Sequence, residues 1–171
     1  MYIFIVLMRA IHVASGVFWA GAMIFNANFL IPAMAEAGPA AGAVMAGLMK
    51  RKMLTVIPIA AILAILSGGA LFWNDSAGFT SDFMGTRMGI SLSIGATLAL
   101  VAFIIGMLVM RSSTLKAIAL TQSVAQQADG PDKQAVMGQA QALRVRAAKA
   151  ARAVAALLGV TILLMGVARY L

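Results

Sequence analysis

The chain reads as an all-α integral membrane protein: a bundle of four transmembrane helices, the third and fourth extended into a cytoplasmic helical hairpin. Three observations carry this. Apolar residues make up 63% of the sequence against 11% charged; they gather into four stretches of about the length that a bilayer demands; and most of the 13 Lys and Arg collect in the segments between. A hydrocarbon core about 30 Å thick takes roughly 20 helical residues to cross. The strict alternation of a barrel wall is absent, so backbone groups must be satisfied within helices. Mean hydropathy is +0.98, and residues 1–171 form a single membrane domain.

The first span covers about 10–32. Its helix is free to begin as early as Tyr2, which makes it longer than the bilayer requires and calls for tilt or projection. The opening MYIFIVLMRA lacks a Lys or Arg before its apolar run, and the apolar pattern continues past Arg9, so it reads as helix rather than as a cleaved signal. A second span covers about 53–73; Pro58 is expected to kink it near its start, and Gly68-Gly69 offers a place where another backbone approaches closely. The third covers about 88–110 and the fourth about 154–170. Between these two, 111–152 is rich in Ala, Gln, Leu and Lys/Arg and is broken only by the turn signal Asp129-Gly130-Pro131-Asp132, which predicts a helical hairpin. Small residues mark contact faces: Gly16 and Ala20 in the first span, and Ser91, Gly95, Ala99 and Gly106 in the third. They suit a tight bundle or a homo-oligomer equally.

Orientation follows from the cations. Ten of the 13 lie on one side, as Lys50, Arg51, Lys52, Arg111, Lys116, Lys133, Arg144, Arg146, Lys149 and Arg152; only Arg9, Arg87 and Arg169 lie on the other. The positive-inside rule then puts both termini outside and the hairpin in the cytoplasm of a bacterial inner membrane. Arg144, Arg146, Lys149 and Arg152 come just before the fourth span, where they meet anionic lipid headgroups or a protein partner. The net charge of +8 is thus a topology signal, and nucleic acid is not an expected partner. The absence of cysteine excludes disulfides, thiolate nucleophiles and Cys-based zinc or iron–sulfur sites. Five acids and one histidine do not compose a nucleophile–base pair, so catalysis without a cofactor is not expected.

The candidate site is on the first span. At 100° per residue Arg9, His12, Gly16, Trp19, Met23 and Asn26 share a face, with Ser15 beside it. An ionisable residue within a span is by default a functional-site hypothesis. On the competing reading Arg9 snorkels to the interface, His12 donates to a neighbouring backbone carbonyl and Trp19 fills space. On the assigned orientation Arg9, His12, Trp73, Asn74, Asp75, Asp82, Arg87, Arg169 and Tyr170 converge on one outer mouth. His12 would serve there as ligand or proton carrier and Arg9, Arg87 or Arg169 as anion partners, which suits haem propionates, a quinone headgroup or a metal ion. Methionine thioethers favour Cu(I), and Met8 and Met23 lie near the His12 face, while Met45, Met49 and Met53 recur every four residues before the second span; methionine also serves as adaptable apolar filler. One histidine excludes bis-histidine haem within a chain.

The pattern R-x-x-H-V-x-x-G-x-x-W-x-G, formed by Arg9, His12, Val13, Gly16, Trp19 and Gly21 and followed by an apolar run to Pro32, resembles the first helix of a loose group of small multi-span proteins. The group comprises the copper-resistance protein D (CopD-like) family, the membrane domain attached to some bacterial urate oxidases, and HemJ-type protoporphyrinogen oxidases. The resemblance implies a four-helix membrane fold in which His12 is the residue related to haem b or copper. Relatives tend to carry a lysine in a later helix; the nearest counterpart here is Arg87. Two functions are therefore expected: copper or haem handling at an outer site centred on His12, or an accessory, non-catalytic subunit of a respiratory, photosynthetic or transport complex. A solute carrier is disfavoured, because the third and fourth spans have almost no central polar residues.

Overall fold

Long apolar stretches without period-two alternation leave winding as the way to satisfy the backbone. The computed structural model describes residues 2–126 and 128–171, and all regular structure among them is helical. Four helical runs are long and apolar enough to cross a membrane: Tyr2–Glu36, Met53–Asp75, Arg87–Ser123 and Pro131–Tyr170.

The first run joins α1 (Tyr2–Phe25) to α2 (Ile31–Glu36) through a π turn at Asn26–Leu30. Pro32 explains that turn. It has no N–H for the carbonyl four residues back, and the register loosens so that the Ile31 N–H reaches the Asn26 carbonyl instead. The helix therefore passes Pro32 rather than ending there. Its 35 residues extend about 52 Å at 1.5 Å per residue, well beyond the thickness of a hydrocarbon core.

Gly38 takes a positive φ of 55° and turns the chain into a short helix, α3 (Ala41–Lys50). Lys52, left-handed at φ 56°, then starts α4 (Met53–Asp75). Met45 and Met49 thus belong to one helix and Met53 to the next, so their regular spacing does not make one face. Pro58 sits inside α4 without breaking it. The carbonyl that it leaves without a helical donor is that of Leu54, and the Arg111 Nε–H donates to this oxygen from another helix at 3.1 Å.

After α4, Ser76 is fully buried and its hydroxyl oxygen accepts the Phe79 N–H at 2.9 Å, holding a turn in which the Phe79 ring stands edge-on to Phe72 and Trp73. A single turn, α5 (Ser81–Met84), precedes α6 (Arg87–Ile105), which Thr86 caps by accepting the Gly89 N–H at 3.0 Å. A second π segment, Gly106–Arg111, carries α6 into α7 (Ser112–Ser123). The chain returns as α8 (Pro131–Val167) and closes on a 3₁₀ turn at Ala168–Tyr170. Pro131 lies in the first turn of α8, where its missing N–H costs nothing. Asp129 just ahead pairs with Lys133 at 2.8 Å, and this hydrogen bond and charge hold its carboxyl below the usual range. The hairpin is thus present as expected. Ala117, Ala140 and Ala147 line its seam, and Arg144 Nη2 donates to Thr121 Oγ1 at 2.9 Å.

The runs pack in up-down-up-down order, α1 against α4 and α6–α7 against α8, with α1–α8 and α4–α6 contacts closing the ring. Alanines at 20, 27, 60, 61, 64, 102, 151 and 155 form much of the core, with Trp19, Met23, Val154 and Leu158 filling it. Small side chains let backbones approach, and the small face of α6 is used for this within the chain: a Cβ on Gly95 would stand 3.1 Å from Met165 Cγ. Ser91 donates to the Leu164 carbonyl at 2.9 Å and Thr161 to the Gly95 carbonyl at 3.3 Å. The perimeter is apolar, with Val17, Phe18, Leu66, Leu108 and Leu163 among its exposed side chains.

The Arg111–Leu54 bond has a measurable consequence. Arg111→Met leaves a carbonyl without a donor and is expected to cost about 1–3 kcal/mol in unfolding in detergent. Adding Pro58→Ala restores a backbone N–H and should recover most of that loss; equal instability of the single and double variants would remove the proposed link.

Candidate functional site

The inward stripe of the first run is Ser15, Trp19, Ala20, Met23 and Ala27, all buried, with His12 and Gly16 half-buried at its edge. His12 meets α4 at its glycine pair. A Cβ on Gly68 would lie 2.7 Å from His12 Cε1 and 2.9 Å from Nδ1, so the imidazole occupies the space that glycine leaves open. Nothing comes within 4 Å of a Cβ placed on Gly69. The close approach expected at Gly68-Gly69 is thus made by a side chain, and only at the first glycine.

His12 Nδ1 lies 2.8 Å from the Ala64 carbonyl oxygen. A carbonyl only accepts, so Nδ1 carries the hydrogen, and the tautomer that this bond selects presents its lone pair at Nε2. The same oxygen receives the Ser67 hydroxyl at 3.3 Å. Among the described residues no buried side-chain nitrogen or oxygen lacks a partner, so Nε2, which makes no hydrogen bond, is open to an approaching atom.

The rest of the face does not close around this nitrogen. Met8 is half-buried one turn away on the same side of α1. Met23 is 1% exposed in the core, eleven residues or about 16 Å along the axis, and so out of reach of anything that His12 binds. Trp19 is 6% exposed and stands edge-on to Phe103, ring centroids 6.4 Å apart, which is the space-filling role. Arg9 is exposed on a shallow groove of about 510 Å³ along α1, shared with Tyr2, Ile5, Val6 and Val13. His12 is not part of that groove.

Arg87 is exposed at the first residue of α6. The Trp19–Phe103 contact brings α1 and α6 level across the bundle, and from it Arg87 falls about 13 Å farther along the axis than His12. Arg87 and Arg169 do reach the same end of the bundle, because Ser91 lies on Leu164 in the antiparallel α6–α8 pair. Among the described residues no three His, Cys, Asp or Glu side chains cluster as a metal site. The outer residues thus share an end of the molecule without forming one pocket.

Two structural features escaped the sequence reading. Arg111 counted there only as a topology charge, although Pro58 already implied an unfilled carbonyl at Leu54; what the sequence lacked was the helix that fills it. The other is a groove between the second π segment and α8. Together the fold and contacts define an all-helical protein with four helices able to cross a membrane, joined by polar side chains donating to neighbouring carbonyls. No protein-family model matches the chain, and neither does a curated protein or a solved structure.

If Gly68 is the seat of His12, Gly68→Ala expels the ring and should lower the unfolding free energy by about 1–3 kcal/mol, as overpacking does. His12→Ala in that background empties the contested space and is expected to restore part of the loss, a coupling that a double-mutant cycle in detergent reads directly. Strict additivity would show that the two residues do not share the site.

Proposed function

We propose that this chain is a four-span protein of a bacterial inner membrane, both termini outside and the hairpin in the cytoplasm, in which His12 would hold haem b through Nε2. The observation that carries the reading is the Nδ1–H bond to the Ala64 carbonyl at 2.8 Å. Ligating histidines almost always donate their other ring N–H to a carbonyl or carboxylate, which fixes the tautomer and orients the ring. The donor set fits haem iron, which accepts a single imidazole, better than copper, for which His12 and Met8 alone stand within a turn of each other. Arg9, exposed and one turn toward the N-terminus, is the cation nearest in sequence for a propionate. Bound haem would supply one-electron or small-ligand chemistry. This agrees with the resemblance of residues 9–21 to CopD-like and HemJ-type first helices.

Protein purified in mild detergent after growth with haem precursors should show a Soret band that is lost in His12→Ala and kept in Met23→Leu. Stoichiometric copper without a Soret band would favour the metal over haem. A colourless, metal-free wild type would overturn ligand handling.

An accessory subunit is the second reading, supported by a hairpin that leaves Lys116, Arg146, Lys149 and Arg152 exposed. A partner retained through mild-detergent purification and released by truncating the hairpin would favour it; a monodisperse single chain would sink it. Orientation is tested separately, since the sequence has no cysteine of its own. A membrane-impermeant maleimide on spheroplasts should label Ser81→Cys and spare Gln126→Cys, and the opposite pattern would invert the topology.

A further inference from the structure

Where α6 gives way to the second π segment, a shallow groove runs along the seam with α8. Gly106 opens that segment with nothing within 4 Å of its Cβ position, and α8 brings the small Ala142 and Ala150 to the groove. The groove, of about 410 Å³, is floored by Ile105, Val109, Ala142 and Val145, with Arg146 and Lys149 at its rim. That volume falls in the ligand-sized range of about 300–1,000 Å³. π segments inside α-helices are often found at functional sites.

The rim charges have no internal use. All five acids of the chain are Glu36, Asp75, Asp82, Asp129 and Asp132, so none lies on α6, on α7 or on α8 beyond its first turn. Arg146 and Lys149 are exposed and make no hydrogen bond or ion pair among the described residues, whereas Arg144 on the same arm is tied to Thr121. Two unpaired cations above an apolar channel form a complementary surface for a phosphate ester carrying a hydrocarbon chain. The groove also lies at the boundary between the apolar part of the third run and the basic hairpin, the depth at which headgroup and acyl chain meet.

We infer that this groove binds one anionic phospholipid, its phosphate held by Arg146 and Lys149 and an acyl chain leaving past Ile105 and Ala150 toward the apolar part of the helices. The assignment rests on the membrane reading but not on His12 or on any cofactor. It differs from diffuse attraction to a charged bilayer in being saturable and in using two of the four cations on the arm.

The test uses the full chain in detergent and native mass spectrometry with added phosphatidylglycerol or phosphatidylcholine. One phosphatidylglycerol per chain should be retained at least tenfold better than phosphatidylcholine. The double variant Arg146→Gln/Lys149→Gln should abolish that preference. Ile105→Trp, which fills the membrane-side end of the groove and keeps both cations, should lower retention of both lipids, while Arg144→Gln and Arg152→Gln should leave it within about twofold, the scale expected for charges outside the site. Equal loss from Arg152→Gln would reduce the effect to general electrostatics, and indifference to Ile105→Trp would remove the acyl path. Displacement by millimolar inorganic phosphate would make it a simple anion site. Orientation does not enter in detergent, so a failed topology assay and a failed lipid assay remain distinguishable.

Discussion

The helices of this protein are joined by polar side chains that reach across to backbone carbonyls. His12 donates to Ala64, Arg111 to Leu54, Ser91 to Leu164 and Thr161 to Gly95, which links the first run to the second, the second to the third, and the third to the fourth twice. A helix already uses its carbonyls internally, so each of these is a second bond to a lone pair that remains, except at Leu54, where Pro58 has removed the first. Such bonds contribute about 0.6 kcal/mol on average in an apolar solvent and up to about 1.7. They matter because apolar packing alone does not fix which faces of two apolar helices meet.

Close approach is the condition for them. A hydroxyl or imidazole reaches a neighbouring carbonyl only if the backbones come near, and the alanine core together with Gly68 and Gly95 provides that proximity. Small residues and polar donors therefore act as one device. The same device positions the candidate ligand: packing His12 against Gly68 and tying Nδ1 to Ala64 leaves Nε2 as the ring nitrogen not committed to the bundle. A structural clasp and an axial ligand then need no different geometry from this ring, which is why the two readings of the histidine converge on one nitrogen.

Charge is divided along the axis in the same economical way. Near one end the exposed cations are Arg9, Arg87 and Arg169; the other carries the hairpin, whose two arms are sealed by small apolar residues and bear their cations outward. Arg111 and Arg144 bond within the bundle, and Arg146 and Lys149 do not. The distinction separates charges that hold helices together from charges free to meet a phosphate, and no count of Lys and Arg contains it.

Much of the architecture was legible in the amino-acid sequence, because length and composition are local properties. The four apolar runs, the turn at Asp129-Gly130-Pro131-Asp132 and the extension of the third and fourth helices follow from them directly. The helical identity of Ala41–Lys50 and the passage of the first helix beyond Pro32 were not legible, since a glycine-rich apolar segment and a proline each permit two outcomes until neighbouring helices choose. Of the candidate site, the sequence by itself determined that a single imidazole sits in the first span. The tertiary structure alone decided that it faces Gly68, that Arg87 lies too far away to share a ligand with it, and that Arg111 answers Pro58. Those facts depend on the axial register and rotation of helices more than fifty residues apart in the chain, and helical periodicity sets the angle of a residue on its own helix but never the height at which two helices meet.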